Sequence, residues 1–160
     1  MKKLLLTALL AIGTYAAYCQ TDIYDGDWYH SYNGIGVNES GERCRGAGKD
    51  VYRIRTENGS TTVRVKVQYP CKTEYEYWEC DITKCDEYSL EWNSEINRYK
   101  DVDNPQKTFV VKYYCKLRKI NNTLKADIYC LQTTIIGGII INSTKYGEDT
   151  FTLYKDGNDW

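Results

Sequence analysis

The stretch Val51-Tyr52-Arg53-Ile54-Arg55-Thr56-Glu57-Asn58-Gly59-Ser60-Thr61-Thr62-Val63-Arg64-Val65-Lys66-Val67-Gln68-Tyr69 decides the architecture. Thr61, Val63, Val65, Val67 and Tyr69 alternate with Thr62, Arg64, Lys66 and Gln68, the period of a strand buried on one face. Val51 to Thr56 supplies the partner strand, and Asn58-Gly59 between them accepts the positive φ angles of a type I′ turn. The spacing therefore predicts a two-residue hairpin. Its register sets Ile54 against Val63 and Tyr52 against Val65 on an inward apolar face, with Arg53, Arg55, Arg64 and Lys66 on the other.

Working outward, strands are predicted over residues 73–82, 108–117, 124–133 and 150–154, with turn chemistry at Asn121-Asn122. A short helix over 94–99 is the single helical candidate and has no pattern behind it. Many strands at short spacing without a good amphipathic helix predict an all-β fold, a single antiparallel β-barrel, with a β-sandwich as the alternative.

Met1 to Cys19 reads as a secretory signal peptide: Lys2-Lys3, an apolar run from Leu4 to Ile12, and small residues ahead of a cut before Gln20. An acylated Cys19 is disfavoured by the bulk of Tyr18 before it. Residues 20–160 are then one secreted domain, undivided by any repeat, proline-rich linker or low-complexity run. The formal charge of −1 becomes −3 once Lys2 and Lys3 leave, a balance that asks for no nucleic acid. No later apolar run reaches the ~18 residues of a membrane span.

Six cysteines remain: Cys44, Cys71, Cys80, Cys85, Cys115 and Cys130. An even set in a secreted chain predicts three disulfides of open connectivity. With His30 the only histidine and no C-x-x-C pair, they do not read as a zinc site. Sequons at Asn38, Asn58, Asn121 and Asn142 predict exposed loops or turns carrying glycans.

Gly26-Asp27-Trp28-Tyr29, just inside the expected mature start, resembles the opening G-x-W-Y signature of the lipocalins. Residues 34–49 look like that family's wide first loop, and Asp149 to Lys155 is similar to its last barrel strand, with Lys155 in the place usually held by arginine over the opening tryptophan. The short, cysteine-rich form most resembles the salivary, triabin-like lipocalins of blood-feeding arthropods. The resemblance implies a calyx binding a small apolar or amphipathic ligand. Trp28 would seal its closed end, His30 and Tyr32 would face inward above it, and Tyr52, Ile54, Val63, Val65 and Val67 would line the wall. A filled interior with His30 as a hydrogen-bonded barrel histidine is the competing reading.

Two further features bear on partners. Alternation over Tyr75-Glu76-Tyr77-Trp78 puts a carboxylate beside aromatic rings, which suits a cationic amine, although ordinary strand propensity also explains it. Arg53, Arg55, Arg64 and Lys66 form a basic face that an acidic protein or glycan would fit, or that stays solvated. The second functional hypothesis is accordingly an interaction module acting through that face. Catalysis finds no support: there is no second histidine for a triad, Asp101-Val102-Asp103 lacks the glycine of a calcium loop, and Gly34-Ile35-Gly36 lacks the third glycine of a dinucleotide loop. No cofactor or metal is expected.

Overall fold

The computed structural model describes residues 22–155, so the expected leader lies outside the described residues. Nine antiparallel strands make up the fold: β1 (Gly26–Val37), β2 (Arg43–Glu57), β3 (Ser60–Gln68), β4 (Glu76–Glu79), β5 (Asp81–Cys85), β6 (Leu90–Lys100), β7 (Lys107–Ile120), β8 (Thr123–Ile136) and β9 (Ile139–Lys155). They form one sheet in the order β4-β3-β2-β1-β9-β8-β7-β6-β5. The fold is all-β, and the described residues contain no helix.

The decisive hairpin forms in the expected register. Ile54 faces Val63, Tyr52 faces Val65 and Arg53 faces Arg64, and the turn residues Asn58 and Gly59 have φ of 51° and 76°. Two expectations are corrected. The glycine-rich stretch 34–49 is no wide loop: it extends β1 and β2 as a ladder from Gly34↔Gly46 to Val37↔Arg43, leaving a tight turn in which Asn38 Oδ1 accepts the Ser40 and Glu42 amides. Its glycines serve close approach, because a Cβ on Gly36 would lie 1.9 Å from the Pro70 carbonyl oxygen. The segment 94–99 belongs to β6, where pairing with β7 and burial of Ser94 outweigh local propensity. The strand expected over 73–82 is broken at Cys80 into β4 and β5.

The sheet curls so that both halves share one core, in which Trp28, Tyr52, Ile54 and Val65 meet Trp92, Tyr113, Leu117 and Leu153. β3 comes to lie near β5 and β4 near β6, yet no ladder joins the two ends, so the sheet is not closed into a barrel. Between the halves, β1 and β9 pair, among the described residues, at Trp28↔Lys155 and Tyr29↔Tyr154. β9 is exposed from Ile139 to Thr150, beyond that seam.

Cysteine usage also departs from expectation. Cys44 and Cys71 are bridged, pinning the β1–β2 hairpin to the loop after β3, and Cys85 is disulfide-bonded as well. Cys80, Cys115 and Cys130 carry free thiols, correcting the expected set of three bridges among six cysteines. On neighbouring strands, Cys115 faces Ile128 and Cys130 faces Tyr113, so the two are offset rather than opposite. Among the sequons, Asn38, Asn58 and Asn121 sit at turns, whereas Asn142 lies within β9 on its exposed stretch.

Gly36→Ala should destabilise the protein by about 1–3 kcal/mol, because backbone rather than a flexible side chain blocks the new methyl. Urea denaturation with an unchanged m-value checks it, and a neutral result would show that the Pro70 loop does not rest on β1.

Candidate ligand-binding site

The registers across β1 to β4 stack the inner face in rows. Trp28↔Tyr52, Tyr52↔Val65 and Val65↔Trp78 make one continuous row. Below it, Gly26 faces Ile54, which faces Val63. Trp28 and Val65 are 0% exposed and Tyr52 is 1% exposed, and Ile54, Val63 and Val67 are buried with them. A cavity fit for a ligand would leave accessible surface on its walls, and these walls have almost none. The expected lining residues Trp28, Tyr52, Ile54, Val63, Val65 and Val67 therefore pack a filled interior.

Rings crossing from the other half fill the space, with Tyr52 and Trp92 centroids at 6.1 Å and Trp78 and Tyr113 at 5.0 Å. Trp28 is fully buried. Its indole N–H donates to the Tyr24 carbonyl at 2.7 Å, and the ammonium groups of Lys119 and Lys155 lie 4.3 and 5.6 Å from the ring. Lys155 takes the expected place, and the nearer cation, Lys119, was not anticipated, since only the curl of the sheet brings β7 to β1.

One row higher the chemistry changes. His30 faces Asp50, Asp50 faces Val67 and Val67 faces Glu76, so an imidazole and two carboxylates lie on one line across four strands. His30 stacks on Phe151 of β9 at 4.0 Å and on Tyr32 at 5.5 Å. Tyr32 lies over Gly48, where a Cβ would meet the ring at 2.4 Å. Tyr69 donates from its hydroxyl to Glu76 at 3.3 Å, closing the row on the β3 side.

This row is partly open and its polar atoms are unsatisfied. His30, Tyr32 and Asp50 are half-buried and Glu76 is exposed. Asp50 Oδ1 and His30 Nδ1 are buried without a hydrogen-bond partner within the protein, so His30 departs at that nitrogen from the expected hydrogen-bonded barrel histidine. Burial pushes the Asp50 carboxyl up to about 7, and pushes the His30 imidazole below its usual 6.5 against the pull of the Asp149 carboxylate. Burial, reinforced by Asp50, raises the Tyr32 hydroxyl to about 12. A buried polar group left without a partner costs about 1–3 kcal/mol, and the core groups Tyr24 Oη and Trp92 Nε1 share that condition. Among the described residues no backbone ladder joins β1 to β9 above Tyr29↔Tyr154, and the His30 ring stacks there on Phe151 of β9.

The remaining candidates are less promising. The basic face is neutralised from within: Asp27 accepts Arg53 at 3.1 Å and Arg55 at 2.8 Å, Arg64 faces Glu79, and the Lys66 ammonium lies 4.0 Å over the Tyr75 ring. In the aromatic run, Trp78 packs inward while Tyr77 is 66% exposed, so Tyr75 to Trp78 form no cage of their own. A recess of about 500 Å³ on the other half is lined by Tyr114, Tyr129, Glu91, Lys116, Lys145 and Glu148. Its charges already pair, Lys116 with Glu91 at 2.9 Å and Lys145 with Glu148 at 2.8 Å.

Sequence reasoning named His30 and Tyr32 but missed Asp50. The signal was present, since an acid falls in phase with Tyr52 and Ile54 on an apolar face. No family model, no curated protein and no solved structure matches this chain. No helix among the described residues is long and apolar enough to cross a membrane.

The folded state holds the Asp50 proton up to about pH 7, whereas the unfolded chain releases it near 3.8. The folded state thus binds more protons in between, and this contribution to stability is full below about pH 4 and lost as the pH rises to about 7, an effect on the order of a few kcal/mol. His30, with its lowered pKa, contributes with the opposite sign. Comparing the wild type with Asp50→Asn by chemical denaturation from pH 4 to 8 isolates the carboxyl. The wild type should lose stability relative to the variant as pH rises, and parallel profiles would refute the burial of Asp50.

Proposed function

We propose that this chain is a secreted, lipocalin-like binding protein that takes a small amphipathic ligand, without transforming it, into the upper inner-face recess around His30, Tyr32 and Asp50. One observation carries this reading: His30 and Asp50 stand opposite each other in register, and His30 Nδ1 and Asp50 Oδ1 are buried without partners, on residues that are themselves only half-buried. The stacked Phe151, His30 and Tyr32 rings supply the apolar wall, and the filled rows below set the depth. A ligand seated here is short, because Trp28, Tyr52 and Trp78 occupy the space where a long tail would go.

The resemblance of Gly26 to Tyr29 to the lipocalin opening, the Cys44–Cys71 bridge and the leader-like first nineteen residues support the secreted setting. The protein-partner reading is weaker, because Arg53 and Arg55 already spend their charge on Asp27.

Titration with the neutral dye N-phenylnaphthylamine tests the site. One saturable site per chain is expected, with His30→Ala and Tyr32→Ala each weakening it about fivefold through loss of aromatic contact, and the exposed Tyr77→Ala leaving it unchanged. Absence of saturable binding, or binding indifferent to both inner-face variants, would overturn the proposal.

A further inference from the structure

We infer that the tip of the β8–β9 hairpin is a shallow membrane anchor, which inserts its isoleucines into one leaflet of a zwitterionic lipid surface. The tip shares no residue with the recess around His30. It is the run Ile135-Ile136-Gly137-Gly138-Ile139-Ile140-Ile141, turning at Gly137 and Gly138 with φ of 57° and 83°. Ile136 faces Ile139 and Ile135 faces Ile140, so strand alternation puts isoleucines on both faces of the hairpin. Ile139, Ile140 and Ile141 are each more than half exposed. From Ile128 to Thr144 the chain carries no charged side chain. The β6–β7 turn stands beside this tip: the Gly137 amide donates to the Gln106 carbonyl at 3.2 Å, and Val102 in that turn is 96% exposed. A single exposed isoleucine is ordinary, whereas a contiguous apolar apex on two adjoining turns marks a surface that something covers.

Three features select lipid as the cover. The tip is apolar on both faces, so a partner protein docking on one face would leave the other in water, while acyl chains surround a tip on all sides. The chemistry below it is layered in the order of a bilayer interface. Lys107 faces Ile136 and Thr108 faces Ile135, and one step lower Phe109 faces Thr134. Phe109 stacks on Tyr99 at 4.9 Å, and the Lys107 ammonium lies 4.8 Å over the Phe109 ring. Aromatic rings and lysine stems beneath an apolar end suit the headgroup level. From Gly137 down to Thr134 is three residues, about 10 Å of strand, which matches the ~5–10 Å that interfacial elements penetrate.

The third feature is charge. Asp101 is turned into its own loop, where its carboxylate accepts the Asp103 and Asn104 amides at 3.0 and 3.2 Å and pairs with Lys107 at 3.0 Å. Lys100 and Lys107 balance Asp101 and Asp103 around the base of the tip, so insertion draws on apolar area and needs no anionic lipid.

Flotation with phosphatidylcholine vesicles tests the anchor, in the Asn142→Gln background so that no glycan stands beside the tip. The chain should float with the vesicles, equally at low salt and at about 0.5 M salt, where surface charge is screened. The double variant Ile139→Asp/Ile140→Asp, and separately Val102→Asp on the neighbouring turn, should each weaken partitioning at least about tenfold. Tyr88→Ala, exposed elsewhere, should leave it unchanged. Failure to float, binding that salt abolishes, or indifference to both tip variants would overturn the proposal. So would a dimer in sedimentation that the tip variants dissociate while vesicles leave the unsubstituted tip in solution, since the cover would then be a second copy of this chain.

Discussion

Two backbone pairs, Trp28↔Lys155 and Tyr29↔Tyr154, hold the halves of this sheet together. Everything at the closed end converges there. The Trp28 ring is capped by the Tyr24 carbonyl and by the ammonium groups of Lys119 and Lys155. Asp25 accepts the Thr56 amide at 3.0 Å, and Asp27 accepts both Arg53 and Arg55, tying the start of β1 to the end of β2. Because the seam is short, the strands part immediately above it. The fold consequently has a dry, closed end and a split, polar one.

That asymmetry underlies the proposed placing of a ligand. In an open calyx the binding energy comes from the wall, and the wall residues here are spent on one another: Tyr52 on Trp92, Trp78 on Tyr113, Val65 between them in the row. Burying such rings stabilises the fold and fills the space between the two halves. The row of His30, Asp50 and Glu76 lies one step higher, where packing stops and desolvation persists. An unsatisfied carboxyl costs stability there.

The cysteines show the same division of labour. Cys44–Cys71 secures the Pro70 loop against the long β1–β2 hairpin, at the end farthest from the seam, where few side chains are buried. Cys115 sits in the core as a small apolar residue, and burial pushes its thiol well above the usual range. Cys130 and Cys80 flank that core as free thiols.

Local chemistry was sufficient for the hairpin from Val51 to Gln68, because alternation and an Asn-Gly turn fix register without help from distant chain. It was also sufficient for the all-β class, whereas the inward placement of Trp28, His30 and Tyr32 and the place of Lys155 over Trp28 were implied by the lipocalin resemblance. It failed where strand partners set conformation, as in the glycine ladder of 34–37 with 43–46 and in β6, where a sequence weak in strand character is held by β7. The even cysteine count misled for a related reason: parity says nothing about which side chains oppose each other, and Cys115 and Cys130 do not. Whether the inner face encloses a cavity or a packed core depends on rings arriving from β6 and β7, more than twenty residues away in sequence, and so only the curl of the whole sheet decides it. Sequence by itself determined which residues share a face, since alternation is local. Tertiary structure alone decided that Asp50 would be buried opposite His30 without a partner, because burial belongs to everything packed around a residue.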